Sequence, residues 1–209
     1  MRFITPCSPV IAKASPTGPE WLHEVKFDGW RVQIHRRPDD LVKLYSRNGR
    51  DITDRFPTLS DSCLYLPECV IDGELVACDT DGRPDFEAIM RRDANLCIWA
   101  FDMLAIGETD IRDKPLVERK ARLRDILIDT DDDRLRYSEE FPDPVKLLQV
   151  AEQMGLEGVV SKRKNAPYRS WPRADWVKVK TKVWREANKD RGELFQPERR
   201  VKSRVTSDE

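Results

Sequence analysis

Glu24-Val25-Lys26-Phe27-Asp28-Gly29-Trp30-Arg31 is the stretch from which the rest of this chain is read. A lysine sits among apolar neighbours, with an acid two residues on, then a glycine, then an arginine. Side chains alternate along an extended strand, so Glu24 and Lys26 share one face, and Gly29 lets the backbone turn or approach a ligand closely. A lysine is a poor nucleophile in water: with a reference pKa of about 10.4, roughly one in a few thousand is neutral at pH 7. Partial burial and nearby cations lower that value, which is how lysine is activated for covalent chemistry. Alone, the octapeptide reads equally as a strand, a turn and a surface ion pair. Its surroundings decide.

Working outward, residues 21–37 and 41–46 read as strands joined by the turn Pro38-Asp39-Asp40. Residues 70–77 form a strand interrupted at Asp72-Gly73. Residues 96–106 are nearly all apolar, as in a fully buried strand, and the single acid inside, Asp102, needs a reason. The last strands are 157–162 and 176–180. In the second, Val177 and Val179 face inward and leave Lys178 and Lys180 side by side on the other face. Helices are expected within 53–66, over 86–92, over the amphipathic stretch 115–128, and over 142–154, which Gly155 closes. Asp81-Gly82-Arg83-Pro84 and residues 129–133 are turns, the proline-rich residues 1–20 an extended lead-in. Many strands, few helices and little β-α-β alternation predict an α+β fold of antiparallel sheets flanked by helices.

The length of 209 residues suits one large domain, or one with an appendage, and 39% hydrophobic residues against 36% charged argue for a folded chain. The division expected is a domain over 1–184 and a basic tail, helical or loose, over 185–209. No apolar run approaches the roughly 18 to 20 residues that cross a bilayer, and Met1-Arg2-Phe3-Ile4 with Pro6 and Pro9 does not resemble a secretory leader, so a cytoplasmic protein is expected. Five cysteines without a Cys-x-x-Cys pair, and two histidines, argue against a structural zinc site and for reduced thiols. The net charge of −1 hides an asymmetry: residues 162–209 carry 15 Lys and Arg against 7 Asp and Glu. That suggests a local contact with a polyanion; a solvated charged tail reads the same way.

The charged residues that fall within strands or at their ends form an ordered set. Lys26-Phe27-Asp28-Gly29-Trp30-Arg31, Ser46-Arg47-Asn48-Gly49, Ala100-Phe101-Asp102-Met103-Leu104, Glu157-Gly158-Val159-Val160-Ser161-Lys162-Arg163 and Asp175-Trp176-Val177-Lys178-Val179-Lys180 resemble, in order, motifs of the covalent nucleotidyltransferases. These are the DNA ligases, RNA ligases and mRNA capping enzymes. With Asp72-Gly73-Glu74-Leu75-Val76-Ala77, Asp81-Gly82-Arg83-Pro84, Pro115-Leu116 and Glu118-Arg119, the chain from about residue 3 to 181 is similar to bacterial ATP-dependent DNA ligases of the end-joining type. The implied fold is the nucleotidyltransferase, ATP-grasp-like ligase adenylation fold.

The resemblance implies that Lys26 attacks the α-phosphate of ATP to form lysyl-AMP. Glu24 and Val25 would border the adenine, with backbone groups reading its edge, and Phe101 would stack on it. Arg31 and Glu74 would lie near the ribose and phosphate, Arg47 and Arg163 would hold phosphates, and Lys178 and Lys180 would grip the α-phosphate. Glu157, with Glu74, would bind Mg²⁺ or Mn²⁺. Asp28 and Asp102 are either structural acids satisfied by backbone N–H groups or take part in the chemistry. The implied partners are nicked or broken double-stranded DNA and end-joining proteins, with no membrane. Such ligases continue into an oligonucleotide-binding barrel with a further basic motif; the 28 residues after Thr181 are too few for one. A free-standing adenylation domain is therefore expected. RNA end joining or capping, and a non-catalytic DNA-end-binding module, are the competing readings.

Overall fold

The computed structural model describes residues 2–39, 41–78, 85–90, 95–128 and 132–189. Among these residues ten strands form two sheets. The first holds β1 (Cys7–Ile11), β10 (Trp171–Lys180), β9 (Gly158–Arg163) and β2 (Trp21–Lys26), in that order across the sheet. The second runs β4 (Val42–Ser46), β3 (Trp30–Arg36), β5 (Cys69–Cys78), β6 (Asn95–Ile106) and β7 (Thr109–Asp110), with β8 (Leu135–Tyr137) also beside β6. Most pairs are antiparallel, as expected, but β1 with β10 and β6 with β8 are parallel, so both sheets are mixed.

The chain passes from one sheet to the other inside the opening octapeptide. The strand expected over 21–37 is two strands, β2 and β3, in different sheets, with Phe27-Asp28-Gly29 as the crossover. Gly29 is required by space: a Cβ there would stand 2.2 Å from the carbonyl oxygen of Leu75. The proline-rich lead-in is ordered as well, because β1 pairs with β10. Pro9 lies opposite Arg173 and Val10 opposite Val177, so β10 bulges at that step.

Helices cover the sheets. The helix expected within 53–66 is a 3₁₀ turn, Thr53–Arg55, followed by α1 (Pro57–Ser62), and that expected over 86–92 is a 3₁₀ turn at Glu87–Met90. α2 (Leu116–Leu127) and α3 (Pro144–Gln153) fall where predicted; Asp143 caps α3 by accepting from the Val145 and Lys146 N–H groups at 2.9 and 3.0 Å. The turn at 81–84 and residues 129–131 lie outside the described residues. None of the described helices is long and apolar enough to cross a membrane.

Val32, Ile34, Ile71, Ile98, Met103 and Leu123 anchor a core between the second sheet and its helices. A smaller core with Ile4, Val70, Leu104, Tyr168 and Trp176 lies where the sheets meet. Asp102 has its reason here. It is fully buried and takes a two-pronged bond from Arg119 of α2, at 2.7 and 2.8 Å, so its partner is a guanidinium and not backbone N–H groups. Arg119 and Lys120 are thus inside, on a helix whose charges the amphipathic pattern puts in water.

Candidate active site

A cleft of about 740 Å³ is lined by residues of both sheets. Its floor follows from strand register. Lys26 and Lys180, the last residues of β2 and β10, both lie opposite Gly158, the first residue of β9. A Cβ on Gly158 would meet the Val179 carbonyl oxygen at 2.0 Å, so glycine alone allows the strands this close. Glu157, just before it, then receives two ammonium groups: Lys26 Nζ at 2.8 Å on Oε2 and Lys180 Nζ at 2.9 Å on Oε1.

Lys178 lies behind this pair. Burial lowers its pKa, and the charges of Lys26, Lys180 and Arg47 lower it further. Arg47 reaches the cleft from the turn after β4. Glu74 enters from β5. Burial pushes its carboxyl up to about 7; Lys26 and Arg31 oppose the rise, while Glu157 and Asp72 add to it. Beside it, Arg31 grips Asp72 through Nε and Nη2, both at 2.6 Å, and its guanidinium lies 4.4 Å from the centre of the Phe101 ring. Tyr168 donates its hydroxyl to the same Asp72. Burial works against the Arg31 charge, but Asp72 outweighs it and holds the guanidinium protonated.

At the other end Glu24 accepts from Lys162 Nζ at 2.7 Å and Ser138 Oγ at 3.0 Å, with Lys120 Nζ 2.9 Å from its second oxygen. Burial would raise Glu24, yet the two lysines keep it below the usual carboxylate range. Lys162 carries the cost: burial lowers it to about 8, only partly countered by Glu24, with Lys120 repelling it. Its ammonium lies 4.4 Å from the Phe101 ring centre and 4.3 Å from that of Trp176.

A lysine ending β2, a second ending β10 and their shared acid just before β9 thus form the floor of the cleft. Residues 6–180 match the family described as the ATP dependent DNA ligase domain. The chain belongs to that family. It is 40% identical over 193 residues to the multifunctional non-homologous end joining protein LigD of Pseudomonas aeruginosa, covering 88% of this chain and 23% of that protein. It is 32% identical over 194 residues to the SPbeta prophage-derived DNA ligase-like protein LigB of Bacillus subtilis, covering 85% of this chain and 67% of that protein. The fold superposes on a mycobacterial DNA ligase D complexed with ATP and MES with a TM-score of 0.76, at 30% identity, over 84% of this chain and 60% of that one. The chain thus spans about a quarter of the first of these proteins and about two thirds of the second.

Of the residues singled out in the sequence, Glu24, Val25, Lys26, Arg31, Arg47, Glu74, Phe101, Glu157, Lys178 and Lys180 line this one cleft. Val25 contributes there through its backbone: its side chain alternates to the far face, into an apolar hollow with Phe27 and Trp99. Arg163 lies outside this cleft. It follows Lys162 on β9 and so points to the opposite face, where it is 49% exposed, 3.8 Å from Asp175 and stacked at 4.6 Å on Trp21. Lys162 takes the inward position in its stead, and alternation from Gly158 through Val160 could have shown it. Lys120 could not have been found that way, because it comes from a helix remote in sequence.

The donor set fits a divalent cation. Glu74 and Glu157 both line the cleft, and burial together with the Glu157 charge raises the Glu74 carboxyl. Among the described residues no cluster of three or more His, Cys, Asp or Glu side chains gathers. A cation held by two carboxylates keeps water and phosphate oxygens as its other ligands, which suits Mg²⁺ and not zinc.

Proposed function

We propose that this chain is the adenylating unit of an ATP-dependent DNA ligase acting in the repair of DNA breaks. The observation that carries it is the pair of ammonium groups, Lys26 and Lys180, sharing Glu157 on the floor of a cleft that Glu74 and Arg47 also enter. Attack requires that Lys26 give up a proton, and Glu157 Oε2 at 2.8 Å is placed to take it. The Nζ lone pair then forms a bond to the α-phosphorus of ATP, the bond to the β-phosphate oxygen breaks, and pyrophosphate leaves. Lys178, Lys180 and Arg47 lie where charge develops on the phosphate oxygens, so the chemistry rests on positioning and electrostatics. Mg²⁺ or Mn²⁺, when bound by Glu157 and Glu74, supplies further neutralisation of phosphate charge.

The adenine end is read by backbone groups of Glu24 and Val25, with Phe101 as the apolar face and Arg31, fixed by Asp72, near the ribose and phosphate. The AMP passes from Lys26 to the 5′-phosphate of nicked or broken DNA, and a 3′-hydroxyl then displaces it and joins the strands. The likeness to an end-joining protein supports a cytoplasmic role with end-joining partners.

Incubation with α-labelled ATP and Mg²⁺, followed by a denaturing gel, tests this reading. Label is expected on the wild-type chain and absent from Lys26→Ala; label retained on the variant removes Lys26 from its role. Chasing the labelled protein with nicked DNA and nicked RNA should release label to DNA, and preferential release to RNA overturns the substrate.

A further inference from the structure

α4 (Lys182–Ala187) spans the boundary that the sequence suggested between 184 and 185, and its place is built in. Thr181 is buried, donates Oγ1–H to the Leu156 carbonyl at 2.8 Å, and accepts from the Trp184 N–H at 3.3 Å. Glu152 of α3 accepts from the Lys182 and Val183 N–H groups at 2.9 and 3.0 Å. Held in this way, the helix turns Trp184 into the cleft. The indole N–H donates to Asp28 Oδ2 at 3.0 Å, and the ring centre lies 3.8 Å from Lys180 Nζ.

These contacts join two strands that β9 separates. Asp28 belongs to the crossover that follows Lys26, and Lys180 ends β10. Glu157 links the same two lysines through its carboxylate. The two links differ in kind. A carboxylate holds an ammonium and neutralises it, whereas an aromatic ring holds it through its quadrupole and leaves the full charge for a third group. Immobilising a lysine side chain costs rotamer entropy, a cost met before substrate arrives if the ring already fixes it.

We propose that Trp184 is a positioning residue for nucleotidyl transfer: it aims a charged Lys180 at the α-phosphate and ties it to the turn that follows the nucleophile. The proposal rests on the reading of Lys26 as nucleophile and Lys180 as phosphate ligand. It predicts a loss in the rate of the chemical step and not in ATP affinity, because the ring itself touches the protein ammonium and not the nucleotide.

The test is the single-turnover rate of lysine labelling at a series of ATP concentrations, for wild type and for Trp184→Phe, Trp184→Leu and Trp184→Ala, with a thermal melt of each. Leu fills the space without a quadrupole, and Phe keeps the ring but loses the Asp28 bond. Leu and Ala should lower the saturated rate about tenfold, with half-saturating ATP changed less than about twofold, while Phe stays within about threefold of wild type. A Leu variant as fast as Phe overturns the proposal and leaves Trp184 a packing residue; that pair decides even if the Ala variant unfolds. A wild-type chain that takes no label overturns the underlying reading of Lys26 and the proposal with it, whereas a labelled wild type with four equal rates overturns only the role of Trp184.

Discussion

Two carboxylates in this molecule each stand between two lysines, and they do opposite things. Glu157 lies between Lys26 and Lys180, with side chains 6%, 19% and 23% exposed. Glu24 lies between Lys120 and Lys162, at 3%, 2% and 2%. The ion pairs are of the same length, within a few tenths of an ångström. The difference lies in water: at Glu157 a substrate can replace the carboxylate as partner of either lysine, because displaced charges are rehydrated at small cost. At Glu24 no such exchange is open, since each buried charge depends on the others. One cluster keeps access to water and the other is sealed scaffold, although both lie along one cleft and share strand β2.

Substitutions can break this contrast or sharpen it. The largest effect is expected at the open cluster. Lys26→Ala should cut labelling by ATP more than about 10⁴-fold, the scale on which covalent nucleophiles act, with an unchanged thermal melt. Glu157→Ala should likewise be severe in activity but cost less in urea denaturation than Glu24→Ala, because the two ammonium groups it leaves behind keep access to water. Glu24→Ala, by contrast, leaves two buried ammonium groups facing each other and should cost about 3–5 kcal/mol. Equal losses of stability in these two variants would break the comparison.

Glu74 supplies a smaller effect, visible in pH. Its folded pKa of about 7 lies above the ordinary value of 4.5, so between these limits the folded chain holds a proton that the unfolded chain has lost. Its contribution to stability is therefore complete below pH 4.5 and is lost as pH rises through about 7. Melting curves from pH 5 to 8 without divalent cation should show this decline in wild type and a flatter profile in Glu74→Gln, and Mg²⁺ at pH 8 should stabilise wild type more than the variant. The smallest effect is expected at Arg163, on the far face of β9. Arg163→Ala should leave the rate of lysine labelling within about twofold of wild type, and a larger fall would place that guanidinium back at the phosphate.

Much of the site was legible because the chemistry constrains single strands. Lys26 and Lys180 end their strands, Glu157 stands just before β9 and Lys178 inside β10, in an order that picks them out, and period-two alternation gives the faces for β10. Arg163 shows the limit: picked out by its charge, it lies outside the cleft, and alternation along β9 puts Lys162 inward. The buried polar groups show another. Asp102, Asp72 and Glu24 each needed a counter-charge, but sequence has no means of saying that Arg119, Arg31 and Lys120 supply them, since the partners are 17, 41 and 96 residues away. The single strand expected over 21–37 failed for a related reason: β2 and β3 are each good strands, and only Gly29, pressed on the Leu75 carbonyl, marks the change of sheet.

By itself the sequence determined the family and pointed to the proposed nucleophile and the residues proposed to meet a phosphate and a cation, because each of these depends on local chemistry and spacing. The tertiary structure decided which of two similar lysine–carboxylate clusters stays open, that β2 and β3 part into different sheets, and that a tryptophan after the last strand closes back on Lys180. Those outcomes depend on desolvation and on contacts between residues far apart in the chain, and neither is written in any single stretch.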